Sequence, residues 1–100
     1  GDVYKRQEQA LEYMEEAIRH KIRRIDVCTR YSAMQYLIIL FESDESQIPK
    51  VMDRIFIQYY KLYDKRDFIP KYEYLPVNEH SEETNPQNTS DHLNQEIHPV

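Results

Sequence analysis

One apolar run, residues 36–41, limits what this chain can fold into more than any other feature. Its six consecutive apolar residues are too few for a typical helix, and they fit a strand that is buried on both faces. Residues 25–31 are rich in β-branched and aromatic side chains, which favour a second strand. The residues between them form a tight turn, so we expect an antiparallel hairpin. Strand alternation places Leu37 and Ile39 on one sheet face and Ile38 and Leu40 on the other.

Helical patterns flank the predicted hairpin. Residues 8–24 carry apolar side chains at intervals of three and four, and their acidic half precedes their basic half, which complements the helix dipole. A polar loop and a second apolar stripe predict another helix that ends near Tyr63, with Pro49 in its first turn. Residues 68–75 are typical of a last strand, which Pro70 confines to a sheet edge or a strand start. The order predicts an α+β fold of the type α-β-β-α-β with an antiparallel sheet.

Charge and composition exclude several classes of function. The net charge of −5 is concentrated in residues 78–100, which carry five acids and no Lys or Arg, while the body is near neutral. Such a body does not favour binding to nucleic acid. No apolar run approaches the length of a membrane helix, and the single Cys28 is typical of a reducing compartment, so we expect a cytoplasmic protein without membrane insertion. Residues 78–100 are too polar to offset their ordering entropy, and we predict a disordered acidic tail.

The stretch around the predicted turn resembles the signature of GGDEF domains, the diguanylate cyclase family. Residues 23–26 match the family pattern R-x-x-D, and Arg30-Tyr31 matches the R-Y that precedes the signature. The spacing fits without a gap. The five signature positions themselves are degenerate, and they are occupied by Ser32, Ala33, Met34, Gln35 and Tyr36.

The resemblance covers residues 8–77 and implies the C-terminal half of a palm-like nucleotide-cyclase fold. Residues 1–7 are similar to a translated sequencing adapter, so we expect them to be an artefact and the chain to be a fragment. An unrelated α+β interaction domain with a chance match is the alternative interpretation.

The signature positions argue against catalysis. In the family, magnesium and carboxylates hold GTP while two domains join two GTP molecules into cyclic di-GMP. Here Met34 and Gln35 stand at the two acidic positions, and neither is an anion. We therefore predict no catalytic residues and no metal site in this chain. An active diguanylate cyclase, which would need magnesium and GTP, is the alternative.

A second group of residues is similar to the family's inhibitory site. Arg23 and Asp26 fill the R-x-x-D positions, and Arg54 lies where such domains carry another arginine of that site. The resemblance implies that the guanidinium groups meet phosphate and guanine of cyclic di-GMP, and that Asp26 accepts from guanine N–H groups. The structural alternative is that Asp26 pairs with Arg23 at a helix end and Arg54 is solvated. The predicted function is a regulatory or cyclic di-GMP-sensing module that pairs with itself or with other signalling domains.

Overall fold

The computed structural model describes residues 1–77, and the predicted disorder of residues 78–100 lies outside the described residues. The elements follow in the order α1 (Asp2–Lys21), β1 (Val27–Ser32), β2 (Gln35–Ile39), a short 3-10 turn (Glu45–Gln47) and α2 (Ile48–Leu62). Residues 1–77 thus form a small α+β fold with two α-helices and a two-stranded antiparallel sheet.

The first helix differs from its prediction at both ends. It begins at Asp2, so residues 2–7 are helical, and the Arg6 Nε lies 3.3 Å from Asp67 Oδ2. Its end comes three residues earlier than expected, because Ile22 is extended at φ −87° and ψ 163°. The chain leaves the helix there to form the turn that carries Asp26. The origin of residues 1–7 as an adapter stays a prediction.

The hairpin is confirmed, and its register fixes which side chains share a face. Val27 pairs with Ile39, and Cys28 pairs with Ile38. The face of Tyr36, Ile38 and Leu40 packs against the helices, whereas Leu37 and Ile39 lie on the opposite face, as alternation requires.

Burial of β2 on both faces was a wrong expectation. The outer face, opposite the helices, is open enough that Val27 is 41% exposed, and Leu37 and Ile39 are only half-buried. The reason is that, within residues 1–77, both helices pack on one side of the sheet, against the face that carries Tyr36.

The two helices pack against each other and supply most of the core. Ile18 on α1 and Ile55 and Tyr59 on α2 are completely buried. Pro49 is the second residue of α2, where its missing N–H costs no helical hydrogen bond. The apolar stripe predicted for α2 is confirmed at its centre, because Ile55 and Tyr59 are buried.

The predicted last strand is wrong. Residues 68–75 form no ladder with any other part of residues 1–77, and β2 pairs with β1 alone. The segment is held by side-chain contacts instead: Tyr59 donates a hydrogen bond to the Phe68 carbonyl at 2.9 Å, and Tyr72 packs edge-on to Phe56 at 5.8 Å. Contacts to Tyr59 and Phe56 therefore hold this segment against α2 without any pairing to a strand of residues 1–77.

Candidate functional site

Arg23 and Asp26 form a closed clamp in the turn between α1 and β1. Arg23 donates from Nε to Asp26 Oδ2 at 3.0 Å and from Nη2 to Oδ1 at 3.0 Å, a fork-to-fork pair. The Arg23 backbone N–H donates to Oδ2 at 2.9 Å, and the Asp26 N–H donates back to the Arg23 carbonyl at 3.0 Å. The structural alternative, a pair at a helix end, therefore describes the contact between these two residues.

The same clamp reaches the far end of β2. The Phe41 N–H donates to Asp26 Oδ1 at 3.1 Å, and Arg23 Nη2 donates to the Phe41 carbonyl and to Ser43 Oγ, the latter at 3.0 Å. Glu42 lies between these two contacts and has a φ of 50°. Asp26 thus ties the start of β1 to the chain that leaves β2.

Burial and hydrogen bonding act on Asp26 in opposite directions. Its side chain is only 2% accessible, although its Arg23 partner is 50% accessible. Burial raises the pKa of Asp26, but the hydrogen bonds from the Arg23 side chain and from the Arg23 and Phe41 N–H groups outweigh burial, and the pKa lies below its ordinary value of 3.8. The hydrogen bond to Asp26 raises the pKa of Arg23. Asp26 is therefore an anion at neutral pH.

Arg54 does not join this clamp. It is an exposed residue in the second turn of α2, and within residues 1–77 the hydrogen bonds of Arg23 and Asp26 do not include it. The structure thus brings together two of the three residues predicted for a cyclic di-GMP site. The third, Arg54, is an exposed cation on α2 that takes no part in the contact between Arg23 and Asp26.

Four of the five signature positions, residues 32–35, form the hairpin loop, with Ala33 and Met34 as its two central residues. Ser32 pairs with Gln35 across the loop of Ala33 and Met34, and a bulge lies between Arg30 and Ser32. Within residues 1–77 the only non-glycine residue with positive φ is Glu42, so no residue of the loop is left-handed. Ser32 and Ala33 are therefore accommodated without the strain that a Cβ would suffer at positive φ.

Arg30 holds the loop closed. Its Nε donates to the Ser32 carbonyl at 2.8 Å, and one Nη donates to the Ala33 carbonyl at 2.6 Å. Its other Nη lies 3.2 Å from the Tyr36 hydroxyl oxygen. The Arg30 guanidinium therefore donates hydrogen bonds to two carbonyl groups of the loop and lies beside the Tyr36 phenol of the following strand.

The side chains of this loop do not supply the ligands that magnesium prefers. Gln35 Oε1 accepts a hydrogen bond from Ser32 Oγ at 2.8 Å, and Met34 offers only a thioether. Magnesium prefers anionic or water oxygens in an octahedral set, and neither side chain supplies a carboxylate. In the described part of the chain, no group of three or more His, Cys, Asp or Glu residues could hold a metal ion.

Tyr36, which the sequence marks only as a signature position, makes contacts that join β2 to α1. It is 3% exposed, and its hydroxyl donates to the Leu11 carbonyl of α1 at 2.9 Å and lies 3.4 Å from Glu15 Oε1. Burial raises the pKa of this phenol. A single hydroxyl within an otherwise aliphatic strand was the available signal, because a buried tyrosine normally finds a hydrogen-bond partner.

A cleft of about 770 Å³ opens beside this loop and was not anticipated from the sequence. It lies between α1, α2, the hairpin loop and residues 67–73. All three methionines of the chain line it: Met14, Met34 and Met52. Their long flexible side chains adapt to differently shaped surfaces.

Comparison with known proteins returned no family model, no curated protein and no solved structure that matches this chain. The likeness to GGDEF domains therefore stays a prediction from the residues quoted above. Neither of the helices in residues 1–77 combines the length and the apolarity needed to cross a bilayer.

Proposed function

We propose that this chain is a degenerate GGDEF signalling domain that regulates without making cyclic di-GMP. The observation that carries this proposal is the hairpin loop of residues 32–35, which is neutral and has its carbonyl groups held by Arg30. Phosphoryl transfer depends on metal ions and charged groups around the transferred phosphate. This loop offers no carboxylate that could bind such a metal ion.

The test of this activity is incubation of the purified full-length protein with GTP and magnesium. We expect chromatography to find no more cyclic di-GMP than in a sample without protein. A double substitution, Met34→Ala with Gln35→Ala, is the matched control for this loop. Product that forms with the natural loop and disappears in the double variant would establish the alternative, an active diguanylate cyclase.

The regulatory role that we propose includes sensing cyclic di-GMP through Arg23, Asp26 and Arg54. The Arg23 side chain is half exposed even while it is paired, and Arg54 is exposed on α2. Guanidinium groups bind phosphate through charge-assisted hydrogen bonds. Both arginines are thus accessible to an anionic dinucleotide.

Calorimetry on the full-length protein tests this sensing role. We expect Arg23→Ala and Arg54→Ala each to weaken cyclic di-GMP binding by about tenfold or more, because each removes charge-assisted hydrogen bonds. Arg24→Ala is the matched control, since Arg24 is an exposed neighbour with the same charge. Absence of heat at high ligand concentration, or equal affinity in all three variants, would contradict the sensing role.

A second candidate function is protein binding by an α+β interaction domain unrelated to cyclases. The cleft lined by Met14, Met34 and Met52 favours it, because flexible apolar side chains are common at surfaces that bind proteins. Met34 is 53% exposed at the edge of this cleft. If self-association uses the cleft, light scattering across a concentration series will find a dimer that Met34→Glu dissociates. A monomer at all concentrations would contradict a homodimer.

A further inference from the structure

Residues 68–73 keep the side-chain pattern of a strand, although they pair with no strand in residues 1–77. Their even-numbered residues are half-buried and their odd-numbered residues are exposed, which is the period of two that a β-strand has. Within residues 1–77, the backbone of residues 64–77 makes no hydrogen bond to any other backbone group. Apart from the Phe68 carbonyl, which accepts from Tyr59, these N–H and C=O groups are therefore available to a partner strand.

Strand β2 offers a second free edge beside the same cleft. Within residues 1–77 it pairs with β1 alone, so alternate residues of β2 direct their N–H and C=O groups away from the ladder. Gln35 and Tyr36, the first two residues of β2, line the cleft together with residues 67–73, and among the described residues none of β1 lines it. The unpaired edge of β2 therefore begins at the cleft that residues 67–73 border.

The two helices supply apolar side chains to this cleft. Leu11 and Met14 come from α1, and Met52 and Phe56 come from α2. A β-strand uses these surroundings fully, because its backbone groups can bond on both sides while its alternate side chains contact the helices. A helix bonds its own backbone groups internally and would leave both edges unpaired. The cleft therefore favours a strand over a helix as its occupant.

We propose that the cleft binds one β-strand of another polypeptide, which pairs with β2 and with residues 68–73 and so enlarges the sheet. This inference rests on the second candidate function, protein binding at the cleft, and it names the mode of binding and the kind of partner. It does not depend on cyclic di-GMP. Residues 78–100 of this chain are a poorer occupant, because their aliphatic residues, Leu93, Ile97 and Val100, are not spaced two apart.

Charges at the cleft define the partner further. Lys71 and Glu73 line the cleft as exposed residues, and in the alternation of the segment they lie on the face opposite to Tyr72. Opposite charges that lie beside each other on neighbouring strands stabilise the pairing. We therefore expect a partner strand with apolar residues on the face toward the helices. Its other face should carry an acid beside Lys71 and a base beside Glu73.

The experiment is selection of short random peptides by the full-length protein from a display library, followed by amide hydrogen exchange with the selected peptides in synthetic form. We expect apolar residues at every second position of the selected peptides, and slower exchange in both Gln35–Ile39 and residues 68–73 when such a peptide binds. Peptides that bind with apolar residues at helical spacing, or that leave exchange in either segment unchanged, would overturn the strand and leave protein binding in place. A library that yields no binding peptide would overturn both.

A charge reversal tests where the strand lies. We expect Lys71→Glu to weaken binding of a selected acid-bearing peptide by about fivefold, and replacement of that acid by lysine to restore the affinity. Lys50→Glu is the matched control, since Lys50 is an exposed lysine of α2 that does not line the cleft. Equal losses in the two variants would overturn the placement beside residues 68–73. Slow exchange of both segments in the peptide-free protein, lost on dilution or on deletion of residues 78–100, would assign the cleft to a second copy or to residues 78–100, and would also overturn the inference.

Discussion

At the scale of the residue, the buried carboxylate of Asp26 connects two parts of the fold, the turn after α1 and the chain beyond β2. Within residues 1–77 it is a buried charged residue, and it accepts hydrogen bonds from two places along the chain: Arg23 in its own turn and Phe41 beyond β2. A buried carboxylate is tolerated only when such donors compensate for the water that it loses. The R-x-x-D spacing thus has a structural use independent of any ligand.

The charge of Asp26 makes stability depend on pH in a definite direction. Its pKa in the folded state lies below the ordinary 3.8, so the unfolded chain binds more protons between the two values, and stability rises with pH through that interval. The contribution is complete above about pH 5 and is lost as pH falls below about 4. We expect Asp26→Asn to reduce the free energy of unfolding by about 2–3 kcal/mol at neutral pH and to flatten this acid limb. Urea unfolding between neutral and acid pH measures both, and an unchanged acid limb would contradict the assignment.

Tyr59 and Tyr63 give the opposite dependence at alkaline pH. Burial raises the pKa of Tyr59 to about 12, and burial together with the hydrogen bond to Asp67 raises the pKa of Tyr63 to about 12. Since an unfolded tyrosine titrates near about 10, the neutral phenols favour the fold fully below that pH, and this advantage is lost as pH rises toward 12. When the folded protein is titrated with base, the absorbance of tyrosine phenolate will rise in a final step at high pH, and Tyr59→Phe will reduce that step. A native titration curve identical to that of the urea-unfolded chain would contradict this prediction.

At the scale of the element, the hairpin loop shows how the chain turns without glycine. A two-residue loop normally uses positive φ to match the twist of its strands, and here no loop residue has it. The bulge between Arg30 and Ser32 increases the local twist, and the Arg30 guanidinium binds two carbonyl groups of the turn. The bulge and the Arg30 hydrogen bonds therefore stabilise a turn in which no residue has the positive φ that glycine readily adopts.

Glycine should therefore destabilise this loop. We expect Ala33→Gly to lower the free energy of unfolding by about 0.5–1 kcal/mol, because it enlarges the conformational freedom of the unfolded chain at a position that needs no positive φ. Glu42→Gly is the matched control, since its φ of 50° favours glycine, and it should raise stability by up to about 1 kcal/mol. Chemical denaturation of both variants measures the difference. An increase in stability from Ala33→Gly would mean that the loop is left-handed.

At the scale of the whole molecule, the hairpin is joined to the helices on one face only. Cys28 and Tyr36 carry the buried contacts of that face, and Arg19 on α1 donates to the Cys28 carbonyl at 3.3 Å. The opposite face keeps Val27 exposed. Cooperative folding of hairpin and helices therefore depends on a few contacts along one side of the sheet.

Tyr36→Phe tests how much of this connection is a hydrogen bond. The substitution keeps the buried ring and removes the hydroxyl that bonds to the Leu11 carbonyl. We expect a loss of about 1 kcal/mol in the free energy of unfolding, typical of one internal hydrogen bond. Tyr31→Phe, on a side chain that is 57% exposed, should change it by less than about 0.5 kcal/mol. Urea unfolding monitored by circular dichroism compares them, and equal effects of the two substitutions would argue against a tether.

Much of the architecture was accessible from the sequence because it depends on local pattern. The 3.6-residue period predicted both helices, the short apolar run predicted β2, and alternation correctly separated Ile38 from Leu37. Pro49 marked the first turn of α2, since proline is accommodated there at no hydrogen-bonding cost. Each of these features is decided by neighbours within a few residues along the chain.

The sequence by itself determined the helices, the hairpin and the neutral side chains of its loop, because residue type and spacing decide these. Only the tertiary structure decided that residues 68–75 form no strand, because a strand exists only where another backbone edge is available to pair with it. It also decided that Asp26 accepts hydrogen bonds from Arg23 and Phe41, and that Arg54 takes no part in these hydrogen bonds within residues 1–77. Phe41 is fifteen residues from Asp26 along the chain. Contacts over that distance depend on how the hairpin folds back, and no local pattern records them.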